Sequence, residues 1–478
     1  MKVLILLPAH GYQQRFAIQP KGAGVLFYSR SRWMNQPIRT AAEALAEHLP
    51  PLTPNAAAVE ADRCLYCYDA PCTHACPTHI DIPKFIKKIA TNNLRGSANT
   101  IFASNLLGAT CARVCPVQEL CEGACVLGAD HKPISIGRLQ RYAMDYAREH
   151  KRFPRADAVS TGEKIAVIGA GPAGLSCAGE LARAGHSVTV FEKRAMPGGL
   201  STYGIIALRE PVEIAIEEAR MIEGMGVQFR MGMELGVNLH FASLRDEFDM
   251  IVLSSGLGNT PVLNIEGDQA IVDGLEFIEA SKISQTGPAV GRNVIVVGAG
   301  NTAIDCATIA KRLGAERVTI VYRRTDAEMT CYEHEYDFAR REGIEFRFLS
   351  QPLRVVFDGD SVAGLECLRV ELGALDASGR PAPVAVAGSQ FVLPADQIVR
   401  AVGQQKPALV ASLGLKTEKG FIAVNDDCET SVSGVYAIGD CIRATGSAST
   451  VMAVQDGKLA ATAIHRQLAA LHSIDKVI

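Results

Sequence analysis

Apolar residues along this chain follow two rhythms. Short unbroken runs, of which Ile165–Ile168 and Val294–Val297 are the clearest, stop at a glycine turn and give way to a helical pattern. Runs of four or five apolar residues bounded by turns predict strands buried on both faces, the habit of parallel sheets. Ser187–Phe191, Val318–Tyr322, Ala395–Gly403 and Gly434–Asp440 read as further strands. Helical spacing of apolar residues marks Ile80–Ala90, Ile136–Ala147 and a final helix over about Val451–Leu468. Between the first helices and the first strand, the charged stretch Lys151–Glu163, with Pro154 and Gly162, reads as a linker. The pattern predicts an α/β chain with a helical domain in front of parallel-sheet domains. Arg400 interrupts an otherwise apolar strand, and an edge position is the expected reason.

Composition narrows the function classes. A chain of 478 residues makes about three domains at ~150 residues each. Its 48 basic and 51 acidic residues give no electrostatic footprint for nucleic acid. The apolar runs are far shorter than the ~20 residues that span a bilayer, so no membrane segment is expected and a cytoplasmic location is. Met1-Lys2 followed by Val3–Leu7 lacks the length and cleavage site of a secretory signal. Pro8–Trp33 shows no periodicity, and Met34 is a candidate start, so residues 1–50 are read as an extension without function.

The two glycine turns carry the first chemistry. In Lys164-Ile-Ala-Val-Ile-Gly169-Ala-Gly171-Pro172-Ala173-Gly174, Gly169 allows the tight turn, Gly171 lets a pyrophosphate approach and Gly174 brings helix close to strand. Phosphates then meet the free N–H groups of the helix start. The next strand ends in Glu192, placed for the adenosine ribose. The second turn, Gly298-Ala299-Gly300-Asn301-Thr302-Ala303, leads to a strand that ends in Arg323-Arg324 instead of an acid. Arginines there match a 2′-phosphate, so NADPH is expected over NADH. Both units are Rossmann-like. Gly439-Asp440, closing the last strand, resembles the final signature of two-dinucleotide flavoproteins, in which the aspartate touches the flavin ribityl chain. The implied order is FAD domain, nicotinamide domain, FAD domain. The expected bounds are 51–160 for the helical domain, 161–265 and 403–478 for the FAD domain, and 266–402 for the NAD(P) domain inserted in it. Further cofactor contacts are expected at Gly199, Leu200, Gly403 and Thr450.

Eight of the fourteen cysteines crowd into the helical region. They run Cys64-x2-Cys67-x4-Cys72-x3-Cys76-Pro77 and Cys111-x3-Cys115-Pro116-x4-Cys121-x3-Cys125. Tight cysteine loops ending in Cys-Pro are the grammar of paired 4Fe-4S clusters. Zinc sites favour C-x2-C pairs, of which only Cys64/Cys67 is one, and disulfides lack a secretory context. Cys177, Cys306, Cys331, Cys367, Cys428 and Cys441 stand alone and read as small buried hydrophobes. Clusters beside flavin and nicotinamide sites describe an electron-transfer oxidoreductase. Hydride transfer to flavin asks for stacking and positioning, so no catalytic side chain is nominated.

With these residues in view, the chain from about Pro51 onward resembles the flavin and iron–sulfur half of dihydropyrimidine dehydrogenase, a separate subunit in bacteria. The matching stretches are Arg63-Cys-Leu-Tyr-Cys-Tyr-Asp-Ala-Pro-Cys72, Cys76-Pro-Thr-His-Ile-Asp-Ile82, Gly108-Ala-Thr-Cys-Ala-Arg-Val-Cys-Pro116 and Ile136-Gly-Arg-Leu-Gln140. It is also similar to the small subunit of glutamate synthase, a sister family without the glutamine at Gln140. The resemblance implies one cluster on Cys64, Cys67, Cys72 and Cys125, and another on Cys76, Cys115, Cys121 and the amide oxygen of Gln140. Spacing alone nominates Cys111 as the eighth ligand; the resemblance makes it a spare. An arginine near the flavin matches Arg209 in Gly204-Ile-Ile-Ala-Leu-Arg209-Glu-Pro211, although its surroundings depart from the family pattern. Bacterial relatives often use NADH, at odds with Arg323-Arg324. The implied activity is electron input from NAD(P)H through FAD and two clusters. The receiver would be a partner carrying FMN and further clusters, which reduces uracil or thymine to the 5,6-dihydro form. A glutamate-synthase-type small subunit and a stand-alone NAD(P)H:ferredoxin-type reductase are the alternatives.

Overall fold

The computed structural model describes residues 41–284, 287–376, 379–406, 413–444 and 448–475. Met34 and most of the N-terminal extension lie outside them. The helical domain comprises α1 (Ala41–Ala44), α2 (Pro54–Asp62), α3 (Pro71–Ala75), α4 (Ile82–Ala90), α5 (Leu94–Phe102), α6 (Gly108–Val114) and α7 (Ile136–Glu149). Short polar side chains set several of the starts: Thr53 accepts from the Ala56 N–H, Asp81 from Lys84 and Asn93 from Gly96. α4 buries Ile82, Phe85, Ile86 and Ile89, one face of a helix. Seven of the eight clustered cysteines stand on loops and helix ends, and Cys111 sits in the middle of α6.

The first sheet is built from β1 (Lys164–Ile168), α8 (Pro172–Arg183), β2 (Ser187–Glu192), α9 (Leu200–Tyr203), α10 (Val212–Glu223), β3 (Gln228–Met231), α11 (Phe241–Glu247) and β4 (Met250–Leu253). After β4 the chain leaves it for a second unit. That unit runs β5 (Val272–Asp273), α12 (Gly274–Ile283), β6 (Asn293–Val297), α13 (Asn301–Arg312), β7 (Arg317–Val321), α14 (Glu333–Arg341) and β8 (Glu345–Arg347). An antiparallel sheet of β9 (Ser350–Asp358), β10 (Ser361–Leu375), β11 (Pro381–Ala385) and β12 (Phe391–Pro394) follows, which the apolar pattern did not announce. β13 (Gln397–Arg400) returns to the second sheet, and a hairpin of β14 (Thr417–Glu418) and β15 (Phe421–Ile422) leads to β16 (Val435–Ala437). β16 rejoins the first sheet, pairing Val435 with Ile251, before the closing helix α15 (Thr450–Asp475). Strand orders are β16-β4-β1-β2-β3 and β5-β13-β6-β7-β8, parallel throughout.

Arg400 is not on an edge strand: β13 lies between β5 and β6. The charge is tolerated because it closes the strand, facing Asp268 at 3.8 Å and Asp273 at 3.6 Å.

The domains share cores. One continuous apolar cluster joins Phe85, Ile101 and Leu139 of the helical domain to Ile165, Leu181 and Ile222 of the first sheet unit. The helical domain is therefore fused to the flavin half by packing. Ala44, Leu45, Ile206 and Leu208 pack instead into the core of the second unit.

Candidate functional site

At the first glycine turn the backbone is shaped for a nucleotide. Gly169 has φ +109°, and a Cβ there would stand 2.4 Å from the Ser254 carbonyl. A Cβ on Gly174 would stand 2.1 Å from the Gly169 carbonyl, so only glycine lets α8 meet β1. Gly171 caps α8 with no side-chain bond to its N–H groups, and Pro172 follows, leaving the helix start open for phosphate. Ala173 is buried. Opposite lies Gly199, φ +56°, whose Cβ would come within 2.8 Å of the Gly171 Cα, with Leu200 half-exposed beyond it. The two backbones form a cradle free of side chains. Glu192, 7 % exposed, accepts from the Ala170 and Arg194 N–H groups at 2.8 Å each, which fixes its carboxylate at the end of β2.

The far side of this cradle comes from the returning chain. Gly439, φ +76°, abuts Ala173, and its N–H donates to Asp456. Burial raises the pKa of Asp440, with Arg443 opposing. Thr450 opens α15, which passes α8 so closely that a Cβ on Gly457 would stand 2.5 Å from the Ala173 carbonyl. Gly403, φ +95°, is exposed with nothing near its Cα face. Three side chains here escaped sequence reading. Ser254 bonds the Ile168 and Gly169 carbonyls at 2.9 Å, and Asp456 pairs with Arg443. A serine directly after β4 was a readable signal for the first; the Arg443–Asp456 pair left none.

The second turn repeats the design. Gly298, φ +127°, would clash with the Ala401 carbonyl at 2.1 Å if it carried a Cβ, and Ala299 and Ala303 are buried. Gly300 caps α13 without a side-chain bond, while Asn301 and Thr302 stand half-buried at its start. The two arginines part company. Arg323 is exposed. Arg324 turns inward, 2 % exposed, and donates to Asp376 at 2.6 Å and to the Pro381 carbonyl at 2.8 Å. The expectation that Arg324 faces the nucleotide is corrected, because its guanidinium ties the end of β7 to the antiparallel sheet.

The cysteines segregate into two groups. Cys64, Cys67, Cys72 and Cys125 line one small cavity, whose other walls are apolar, among them Ile82, Ile86 and Ile134. Burial, then Cys125 and Cys64, pushes the Cys72 thiol up to about 11. In the second group the Cys111 thiol, hydrogen-bonded to Cys115, together with burial, Cys121 and Cys76, pushes Cys115 up. Burial likewise raises Cys121, helped by Glu122 and Cys76. Among the described residues, no three histidine, cysteine or acidic side chains converge closely enough for one metal ion. Ligands of a four-iron cluster sit at separate corners and stand further apart, so a thiol-lined cavity fits the group. Bound iron would hold these thiols as thiolates. Gln140, 8 % exposed on α7, donates its amide N–H to the Gly108 carbonyl at 2.8 Å, and that same α6 carries Cys111. The remaining single cysteines are buried, except half-buried Cys331.

Arg209 is drawn into the nicotinamide unit, forming ion pairs with Asp305 on α13 and Glu335 on α14. These pairs tie the stretch before α10 to α13 and α14 of the second unit.

Two family profiles match. The profile described as dihydropyrimidine dehydrogenase domain II, 4Fe-4S cluster, covers residues 41–152, and that of pyridine nucleotide-disulphide oxidoreductase covers 163–457. The small chain of NADPH glutamate synthase of Escherichia coli K12 is 34 % identical over 90 % of this chain and 95 % of that one. The PreT subunit of NAD-dependent dihydropyrimidine dehydrogenase from the same organism is 34 % identical over 89 % and 97 %. Mycobacterium tuberculosis FprA in complex with NADPH shares the fold, with a TM-score of 0.53 and 19 % identity over 65 % of this chain and 86 % of that one. The chain belongs to the pyridine nucleotide-disulphide oxidoreductase family and carries a 4Fe-4S domain of the dihydropyrimidine dehydrogenase type at its front.

Proposed function

We propose that this NAD(P)H-dependent flavin and iron–sulfur oxidoreductase is the electron-input subunit of a dihydropyrimidine dehydrogenase. The observation that carries the reading is the cavity lined by Cys64, Cys67, Cys72 and Cys125 in a domain sharing one core with the flavin half. Flavin, when bound, supplies the conversion of a two-electron hydride into the single electrons that clusters accept. The residues of the chain do the positioning. The open α8 and α13 helix starts hold phosphates, Glu192 holds the FAD ribose, and Arg323 faces the 2′-phosphate of NADPH. Cys64, Cys67, Cys72 and Cys125 would bind one cluster, and Cys76, Cys115 and Cys121 with Gln140 the other.

A partner is part of the proposal. Leu65 and Val126 line the first cavity and are 61 % and 45 % exposed, with Tyr68 wholly exposed beside them. Apolar side chains at the rim of a redox centre favour a docked acceptor, here an FMN- and iron–sulfur-containing subunit that reduces uracil or thymine. No described helix is long and apolar enough to cross a membrane, and we place the complex in the cytoplasm. Anaerobic co-expression with such a partner should give NAD(P)H-dependent uracil reduction. A chain that instead supports glutamine-dependent glutamate formation belongs with the glutamate synthase small chain, a relative of the same 34 % identity.

A further inference from the structure

Between the flavin cradle and α6 lies a group of buried ionisable side chains that cofactor binding does not account for. Glu218 of α10, 4 % exposed, accepts from the Ala109 N–H at 2.7 Å and caps the start of α6. It lines a small cavity with Thr110, Pro172, Gly198 and Ser201, so one wall is the first turn of the flavin-phosphate helix. The Thr110 hydroxyl donates to Glu210 at 2.6 Å, and Glu210 is fully buried. The buried Ser201 hydroxyl faces Glu210 and favours its carboxylate form. Lys282 of α12 reaches in from the half-buried rim and donates to the Ser201 carbonyl.

Resting on the electron path above, we propose that Glu218, Thr110, Glu210 and Lys282 form a redox-linked proton site, which takes up a proton when the cofactors are reduced and releases it when they are reoxidised. Two carboxyls and one ammonium in a low-dielectric junction respond strongly to an added negative charge nearby. The sequence of bonds is balanced. The Lys282 ammonium gives a proton to Glu210 and is reprotonated from bulk solvent. Glu210 hands that proton to the Thr110 oxygen as the Thr110 hydroxyl gives its own to Glu218, so one O–H bond forms at Glu218 while Lys282, Glu210 and Thr110 end as they began; the electrons come from NAD(P)H and leave to the acceptor. The group is poised for this near neutrality. Burial, opposed by Thr110 and reinforced by Glu210, raises Glu218 to about 7. Burial lowers Lys282 to about 8, against Glu210. Glu210 is raised by burial, with Lys282 and Arg113 opposing. Arg209, Asp305 and Glu213 also face Lys282.

Redox-induced infrared difference spectra of the cofactor-loaded chain test this, with dithionite as reductant and with indicator dye counting protons at about pH 7. A protonated-carboxyl band that appears on reduction, shifts in D2O and vanishes in Glu218→Gln supports the site. That variant keeps an acceptor for the α6 N–H groups. Proton uptake should fall in both Glu218→Gln and Glu210→Gln while flavin and cluster absorbance still bleach. A parent chain that bleaches normally without such a band overturns the proton site and leaves the electron path standing. A chain with no flavin or cluster absorbance to bleach overturns both.

Discussion

Arg209 reaches out of the flavin half to pair with Asp305 on the nicotinamide helix α13, and its other nitrogen pairs with Glu335 on α14. All three side chains are mostly withdrawn from water, at 21 %, 6 % and 8 % exposure. Burial raises both acids above their ordinary values, and the guanidinium pulls each back. The contact ties the stretch before α10 to two helices of the nicotinamide unit.

Removing that cation leaves two buried carboxyls without their partner. Arg209→Ala should lose about 3–5 kcal/mol of stability, the usual effect of breaking a buried pair. The loss should depend on pH. Glu335 is held at about 7 in the folded protein against 4.5 ordinarily, so its folded form binds a proton more tightly than the unfolded form. Stability from this group is full below about 4.5 and declines as pH rises toward 7. Without Arg209 the folded value climbs further and the decline continues to higher pH. Thermal unfolding should show the variant's deficit growing from about pH 5 to pH 8, and a deficit independent of pH would contradict the pairing.

Arg323 and Arg324 are neighbours with separate tasks. A charge-assisted bond from Arg323 to a 2′-phosphate contributes about 1.5–3 kcal/mol, or roughly ten- to hundredfold in binding. Arg323→Ala should therefore reduce kcat/KM for NADPH by that factor and leave NADH nearly unchanged, measured by flavin reduction with an artificial acceptor. Arg324→Ala should instead cost about 1–3 kcal/mol of stability, because it strands the Pro381 carbonyl and Asp376, and should leave nucleotide preference alone. Equal kcat/KM for both nucleotides in the parent protein would rule out the role of Arg323.

The glycine turn makes a sharper prediction about flavin. Gly174→Ala forces a methyl group to within 2.1 Å of a backbone carbonyl, which no rotamer relieves. Either α8 moves away from β1 or the turn opens, and both distort the phosphate cradle. Protein purified from this variant should be largely free of FAD by absorbance, with iron content unchanged. Alanine at Gly171, where an added Cβ meets only the Gly199 Cα at 3.8 Å, should fold normally and weaken FAD binding through direct obstruction of the phosphates.

What sequence revealed and what it hid follow from the physics of each feature. The glycine turns were readable because φ values of +109° and +127° admit few other residues, so need and identity coincide. Strand runs such as Ile165–Ile168 were readable because both faces are buried. The antiparallel β9–β12 sheet was not, since its strands expose much of one face and carry Pro352, Pro381 and Pro383 among mixed residues. The inward turn of Arg324 depended on Asp376, which lies 52 residues away. Long-range pairs of that kind, like Arg209 with Asp305 or Thr110 with Glu210, leave no local pattern.

The eighth cluster ligand is where spacing and resemblance diverge. The Cys111 thiol hydrogen-bonds to Cys115, whereas Gln140 holds α6 by donating to the Gly108 carbonyl. With its N–H so engaged, the Gln140 amide is oriented and its oxygen is free to serve as a ligand. Cys111→Ala should then leave iron content at about eight per chain, as expected for two four-iron clusters. Gln140→Cys should retain the iron and shift the potential and EPR signal of one cluster, because ligand identity tunes both. Gln140→Leu should lose that cluster and about half of the iron. The reverse outcome, iron lost with Cys111→Ala and untouched with Gln140→Leu, would give the eighth position to Cys111.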